Sequence, residues 1–339
     1  MKRGDSDNKM MANSGERFDA GTVLPSKMTR KDFLRLTAGA AGVLAAGGML
    51  GASGLSFGAE QRPVLRRPIP STGEMLPVIG VGTAVVYEIE TSDAKFPLLV
   101  DSVKTFLENG GTLIDTSPTY GRAEKNLGEI FRRTGLRKNA FLATKISTTG
   151  EQSGINQVDS AMRDMGTDRF DLLQVHNIRD TNTHLRTIRR LKDEGKTRYV
   201  GITTSFPKDY AEFEQTMRRE RLDFIQIDYA LDNRTAEERI LPLARDRGMA
   251  VMINLPFGRG RLFRASKGKA LPPFAAEIDC TSWAQFFLKF LLANPAVNGV
   301  IPGTDRPEFA IDNLNAARGR IPDVKMREQM LKYWESIQA

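Results

Sequence analysis

Between residues 78 and 304 the chain alternates short apolar, β-prone runs with stretches of helical periodicity. The runs are VIGVGTAVV (78–86), TLIDTSPTYG (112–121), AFLATKIS (140–147), FDLLQVHN (170–177), RYVGITT (198–204), FIQIDYA (224–230), MAVMINLPF (249–257) and VNGVIPGT (297–304). Among the intervening segments, PLLVDSVKTFLENG (97–110), THLRTIRRLKDEGK (183–196), TAEERILPLARDRG (235–248) and SWAQFFLKFLLANP (282–295) place apolar residues at helical spacing. Pro242 falls inside the third of these and predicts a kink. Eight strands alternating with helices predict an α/β chain with a parallel sheet closed into one (β/α)8 TIM barrel. Pro68 to Pro77, with a Ser71-Thr72-Gly73 turn, reads as a β-hairpin capping one end. VKMREQMLKYWESIQ (324–338) reads as an extra C-terminal helix.

Three successive runs break into polar residues at their C-terminal ends. Asp115 and Tyr120 stand at the end of one, Lys145 of the next and His176 of the third. In a parallel barrel, neighbouring strands bring these ends side by side, and active sites are built there. An acid, a phenol, an ammonium and an imidazole would meet at one mouth. That set suits proton delivery to a carbonyl oxygen.

Several classes of function are disfavoured. The net charge is +8, but residues 1–67 hold eleven basic and six acidic residues, so +5 of it lies there. The body shows no basic stripe with interleaved aromatics, so nucleic acid is not an expected partner. Cys280 is the only cysteine, which excludes an intrachain disulfide framework. With two histidines and no His-x-His, a metal hydrolase is not expected, and His184 reads as a surface residue. A Rossmann fingerprint is missing too. Gly80-Val81-Gly82 lacks the third glycine, and Gly258-Arg259-Gly260 runs on to Phe263. A nicotinamide cofactor would have to lie across the barrel mouth.

The first 59 residues read as targeting, and 60–339 as the barrel. Thr29-Arg30-Lys31-Asp32-Phe33-Leu34-Arg35, followed by a Gly/Ala/Leu run to Gly58, resembles a twin-arginine (Tat) export signal with Lys31 in place of the second arginine. Ser56-Phe57-Gly58 before Ala59 offers small residues for cleavage. The expectation is a periplasmic or exported protein that meets the Tat machinery. A retained inner-membrane anchor and a cytoplasmic protein are the alternatives.

Asp115-Thr116-Ser117-Pro118 with Tyr120-Gly121, Lys145 after Ala143-Thr144, and His176 after Leu173-Gln174-Val175 together resemble the aldo-keto reductase superfamily. The likeness extends through Leu191–Lys196, Arg198–Ile202, Phe224–Tyr229 and Val300–Thr304, so it covers about 64–317. It is similar to the exported branch of that superfamily. The resemblance implies reduction of an aldehyde or ketone. Tyr120 would be the proton donor and Lys145 the cation that assists it. Asp115 would hold that lysine charged, and His176 would orient the carbonyl. A non-enzymatic nicotinamide-binding sensor or interaction protein on the same scaffold is the alternative.

The resemblance also implies cofactor contacts. Gly82, Thr83 and Asp115 would border the nicotinamide, with Gln226, Thr203 and Thr204 at its amide. Asn254 occupies the position of a stacking aromatic. Leu255, Phe257, Gly258 and Arg259 would line the pyrophosphate path. Gly303, Thr304 and Arg306 would reach the 2′-phosphate, with Asp312 and Asn313 near the adenine. NADP(H) is favoured and NAD(H) is possible. Tyr87 and Phe257 are candidate pocket walls, with core packing the favoured reading of Phe257. The connection after His176 is short, so an open mouth is expected.

Overall fold

The computed structural model describes residues 62–338; the proposed targeting segment lies outside the described residues. Two short strands, β1 (Arg66–Pro68) and β2 (Met75–Pro77), pair antiparallel across a turn in which Gly73 takes φ +76°. This is the hairpin expected from the sequence. It seals one end of the barrel: Ile69 and Leu76 are buried inside it with Phe141, Leu172, Tyr199 and Phe224.

Eight parallel strands follow in chain order around the sheet. They are β3 (Val81–Gly82), β4 (Leu113–Asp115), β5 (Phe141–Ile146), β6 (Phe170–His176), β7 (Thr197–Thr203), β8 (Phe224–Asp228), β9 (Ala250–Asn254) and β10 (Val297–Val300). Bridges from Ile79 to Val300 and from Gly82 to Gly303 close the ring. Both faces of each strand are covered, which is why the runs read as nearly continuous apolar sequence. On β6, Leu173 and Val175 face the outer core, whereas Leu172 faces the barrel interior. Gln174 and His176 share the inward register with Leu172. A Cβ at Gly201, on neighbouring β7, would come within 3.2 Å of Gln174 Cγ and 2.8 Å of Phe224 O. Glycine there makes room for a glutamine inside the barrel.

The helices are α1 (Phe96–Glu108), α2 (Ala123–Thr134), α3 (Glu151–Met165), α4 (Thr181–Asp193), α5 (Tyr210–Arg219), α6 (Ile240–Asp246), α7 (Arg261–Ser266), α8 (Trp283–Leu292), α9 (Pro307–Asn315) and α10 (Val324–Ser336). α2 ends where Gly135 adopts φ +70° and returns its N–H to Phe131 O. The helix expected over 235–248 is split into a 3-10 turn, Thr235–Glu237, and α6. Proline has no N–H and its ring clashes with the carbonyl four residues back. The chain therefore breaks at Arg239 and restarts with Pro242 in the first turn of α6, where an N–H is not needed.

Strained backbone is concentrated at one end. Among the described residues, seven non-glycines have positive φ: Val85, Asn177, Ile178, Asp180, Leu255, Arg259 and Asp279. All except Asp279 lie in loops that leave the C-terminal ends of β3, β6 and β9. Such conformations cost about 1–3 kcal/mol each and concentrate at functional sites. The backbone thus marks the same barrel mouth as the ionisable side chains.

Candidate active site

Asp115, Lys145, Gln174 and Gln226 project from β4, β5, β6 and β8 into the upper barrel and are all buried. Lys145 Nζ donates to Asp115 Oδ2 at 2.7 Å and to Thr116 O at 2.7 Å. Gln226 Nε2 approaches Asp115 Oδ2 at 3.4 Å, and Gln174 Nε2 approaches Oδ1 at 3.5 Å. Gln174 Nε2 also donates to Gln226 Oε1 at 2.9 Å. Burial pushes the Asp115 carboxyl up, against Lys145 and the two amides, which hold it down. Every contact it receives comes from a donor, which is the environment of a carboxylate. Burial alone would lower Lys145. The charges and hydrogen bonds of Asp115 and Tyr120 reverse that, leaving the ammonium above its ordinary value.

Tyr120 stands on the loop between β4 and α2, its N–H bonded to Ser117 O at 3.1 Å. Lys145 Nζ lies 5.2 Å from the centre of the phenol ring. The His176 ring meets it edge-on, with centroids 6.0 Å apart. Lys145 pulls the phenol's pKa down, as a neighbouring cation does. Burial outweighs the lysine's pull and raises Tyr120 above its ordinary value, so the phenol holds its proton.

Burial, together with the charges of Lys145 and Arg179, pushes His176 down to about 3, so its imidazole is neutral. Its Nδ1 lies 3.0 Å from Ser147 Oγ and 3.3 Å from Ser117 Oγ. Gln174, Ser117 and Ser147 escaped the sequence reading. A period-2 count would have found two of them, because Gln174 lies two residues before His176 and Ser147 two after Lys145.

The remaining candidates divide. Thr203 is buried at the end of β7, opposite His176 on one side and Gln226 on the other. Thr83 is buried beside β4, its hydroxyl donating to Asp115 O at 3.1 Å, and Gly82 closes against Gly303. The Thr204 hydroxyl is engaged locally, donating to Asp209 at 3.0 Å and accepting from Phe206 N at 3.1 Å. Asn254 Nδ2 donates to Thr204 O at 3.3 Å, while Asn254 Oδ1 is buried without a partner. Gln174 Oε1 is likewise unpartnered. Leu255 (φ 50°), Gly258 (φ 57°) and Arg259 (φ 54°) shape the loop after β9. Gly303 is exposed, and nothing stands closer than 4.0 Å to where its Cβ would be. Arg306 stacks over Phe309 at 5.4 Å. Thr304 accepts from Asn313 Nδ2 at 3.1 Å. Asp312 is tied to Ser282 and Gln285 of the α8 start, both at 2.7 Å.

Two expectations are corrected, Tyr87 as a pocket wall and His184 as a surface residue. Tyr87 is not a pocket wall but a fully buried core residue. Phe257 is half-buried and packs on Phe263 and Phe287, with centroids at 4.7 and 6.4 Å. His184 is buried rather than at the surface, with Nε2 2.8 Å from Thr148 O. A Cβ at Gly154 would fall 2.8 Å from the His184 ring, so that glycine opens the α3–α4 seam to it.

The mouth fits a nicotinamide dinucleotide. Unpartnered buried carbonyls at Asn254 and Gln174 offer acceptors to an amide, and the open backbone at Gly303 offers close approach to a phosphate.

A (β/α)8 barrel with a Lys-Asp pair, a phenol and a neutral imidazole at its C-terminal mouth defines a barrel oxidoreductase. The aldo/keto reductase family model matches residues 78–330, and the chain belongs to that family. It is 30% identical to methylglyoxal reductase YeaE of Escherichia coli (strain K12), over 66% of this chain and 80% of that protein. It is 27% identical to aldo-keto reductase YhdN of Bacillus subtilis (strain 168), over 62% of this chain and 66% of that one. An aldo-keto reductase from Klebsiella pneumoniae, solved in complex with NADPH, superposes with a TM-score of 0.67 at 21% identity, covering 80% of this chain and 95% of the other.

Proposed function

We propose that the chain reduces an aldehyde or ketone to the alcohol with NADPH, Tyr120 supplying the proton. The observation that carries this reading is the buried Lys145–Asp115 pair beside Tyr120 and a neutral His176. The named activities of the relatives and the NADPH-bound neighbour support it.

Each residue has a task set by its surroundings. Neutral His176 donates from Nε2 to the substrate oxygen. With Nδ1 accepting from the Ser147 hydroxyl, 3.0 Å away, the ring's single proton would stand on Nε2. Tyr120 gives its proton to the oxygen as negative charge builds there. Lys145 stabilises the phenolate left behind, and Asp115 keeps that lysine charged and in place. NADPH, when bound, supplies the hydride to the carbonyl carbon. Thr203, Gln226 and Asn254 would hold its amide, and Arg259, Gly303, Thr304 and Arg306 its phosphates. Asp312 serves that cradle indirectly, by fixing α8 to α9.

Tyr120→Phe tests the reading. NADPH affinity, followed by protein fluorescence, should be unchanged, and turnover of a panel of aldehydes should fall at least about 10²-fold. Reduction at the wild-type rate would remove Tyr120 from its role. Asn254 in place of a stacking aromatic favours a second reading, a nicotinamide-binding sensor. Tight NADPH binding with no turnover in the wild type would select it.

The Thr29–Arg35 motif supports a further proposal, export in the folded state. Fractionation of cells producing the full chain and an Arg30→Gln, Lys31→Gln variant tests it. Equal distribution of the two would reject it.

A further inference from the structure

Residues 177–180 alone join β6 to α4, and Asn177, Ile178 and Asp180 hold φ of 50, 54 and 51° there. Three residues of the turn are held by hydrogen bonds. Buried Ile178 accepts from Thr181 Oγ1 at 2.9 Å. Asp180 Oδ2 accepts from Gly150 N at 2.8 Å. Arg179 N donates to His176 O at 3.1 Å. The backbone of Arg179 is therefore fixed at the rim, one turn from the imidazole.

Its side chain is exposed, and Nη1 stands 3.5 Å from Ser147 O. Ser147 is the residue whose hydroxyl touches His176 Nδ1. The group that the guanidinium meets is a carbonyl, not a carboxylate, so its charge is not neutralised by that contact. The position also bears on what it can serve. Around the barrel β6 lies four strands from β10 and three from β9, on the far side from the loops assigned to the cofactor phosphates. Through Ser147 the guanidinium stands beside His176, and its charge acts on that imidazole.

We propose that Arg179 is a specificity residue that binds an anionic group, carboxylate or phosphate, on the carbonyl substrate. The proposal rests on the carbonyl-reductase reading above. A planar guanidinium presents paired N–H donors matched to two oxygens of either anion. The short loop leaves that fork open, where a longer one would cover it.

Matched pairs test this with the full chain and NADPH: 4-oxobutanoate against its neutral amide, and glyceraldehyde 3-phosphate against glyceraldehyde. In the wild type, kcat/KM should favour the anionic member of one pair by about tenfold to a hundredfold. The pair that responds identifies the anion. Arg179→Gln should erase the preference and leave the neutral substrates and the NADPH affinity unchanged. Equal kcat/KM within both wild-type pairs, or a preference that survives Arg179→Gln, overturns the proposal. Calorimetric titration with succinate and with inorganic phosphate gives a readout without turnover. Binding of one anion that is lost in Arg179→Gln supports the site even if no aldehyde is reduced, and the reductase reading alone would then fail. Equal binding by both proteins, or by neither, rejects the anion site.

Discussion

At the residue scale, the site depends on keeping a lysine charged where water is excluded. Lys145 and Asp115 are each 2% exposed. Lys145→Met should abolish reduction and destabilise the fold by about 3–5 kcal/mol, because it leaves a carboxylate buried alone. The double variant Lys145→Met, Asp115→Asn should recover much of the stability and none of the activity. Denaturant titration beside an aldehyde assay separates the two. The imidazole makes a second test. With His176 held at about 3, kcat/KM should show no histidine inflection between about pH 5 and 8. An inflection near the ordinary imidazole value would mean that burial does not keep it neutral. Ser147→Ala should lower kcat several-fold without changing NADPH affinity, and Ser147→Thr should restore it. The four ionisable residues were legible from their places at run ends. Their electrostatics were not, because the sign of the Tyr120 shift depends on burial, which only packing decides.

At the scale of the element, α2 carries a buried carboxyl in its first turn. Glu124 accepts from Thr144 Oγ1 on β5 at 2.7 Å. Burial, aided by Asp164 and opposed by Thr144 and Lys145, pushes it up to about 7. A carboxyl raised on folding favours the folded state only while protonated. Its contribution is present below about pH 4.5 and lost as pH rises through 7. Across that window the loss amounts to about 3 kcal/mol. Glu124→Gln should therefore stabilise the protein at pH 8 and change little at pH 5, measured by chemical denaturation. Element type and order were largely readable, because strand and helix periods differ. Boundaries were less so. The run over 78–86 yields only the two residues of β3, since its second half turns outward to build the mouth. The proline in 235–248 predicted a kink, and the segment instead divides in two.

Across the whole molecule, the hairpin is tied to the barrel by Arg67, by Glu74 bound to Arg198 and Tyr199, and by Asn298 donating to Pro68 O. Arg67 donates to Asn294 O at 2.9 Å, Leu292 O at 2.5 Å and Val297 O, gathering the junction between α8 and β10. Arg67→Met should destabilise by about 2 kcal/mol, a fall in Tm of roughly 4–8 °C, with the active site at the opposite end unaffected. A loss of activity without a loss of stability would show that the two ends are coupled. The sequence by itself determined the barrel, its hairpin and the residues at its mouth, because periodicity and strand-end polarity are local properties. It also misplaced two residues. His184 is buried because Gly154 opens a seam 30 residues away, and Tyr87 turns into the core. Gln174 links to Asp115 and Gln226, and two serines reach His176, only once the barrel closes. Those contacts join residues distant in the chain, so tertiary structure alone decided which polar groups share the site and which protonation states it holds.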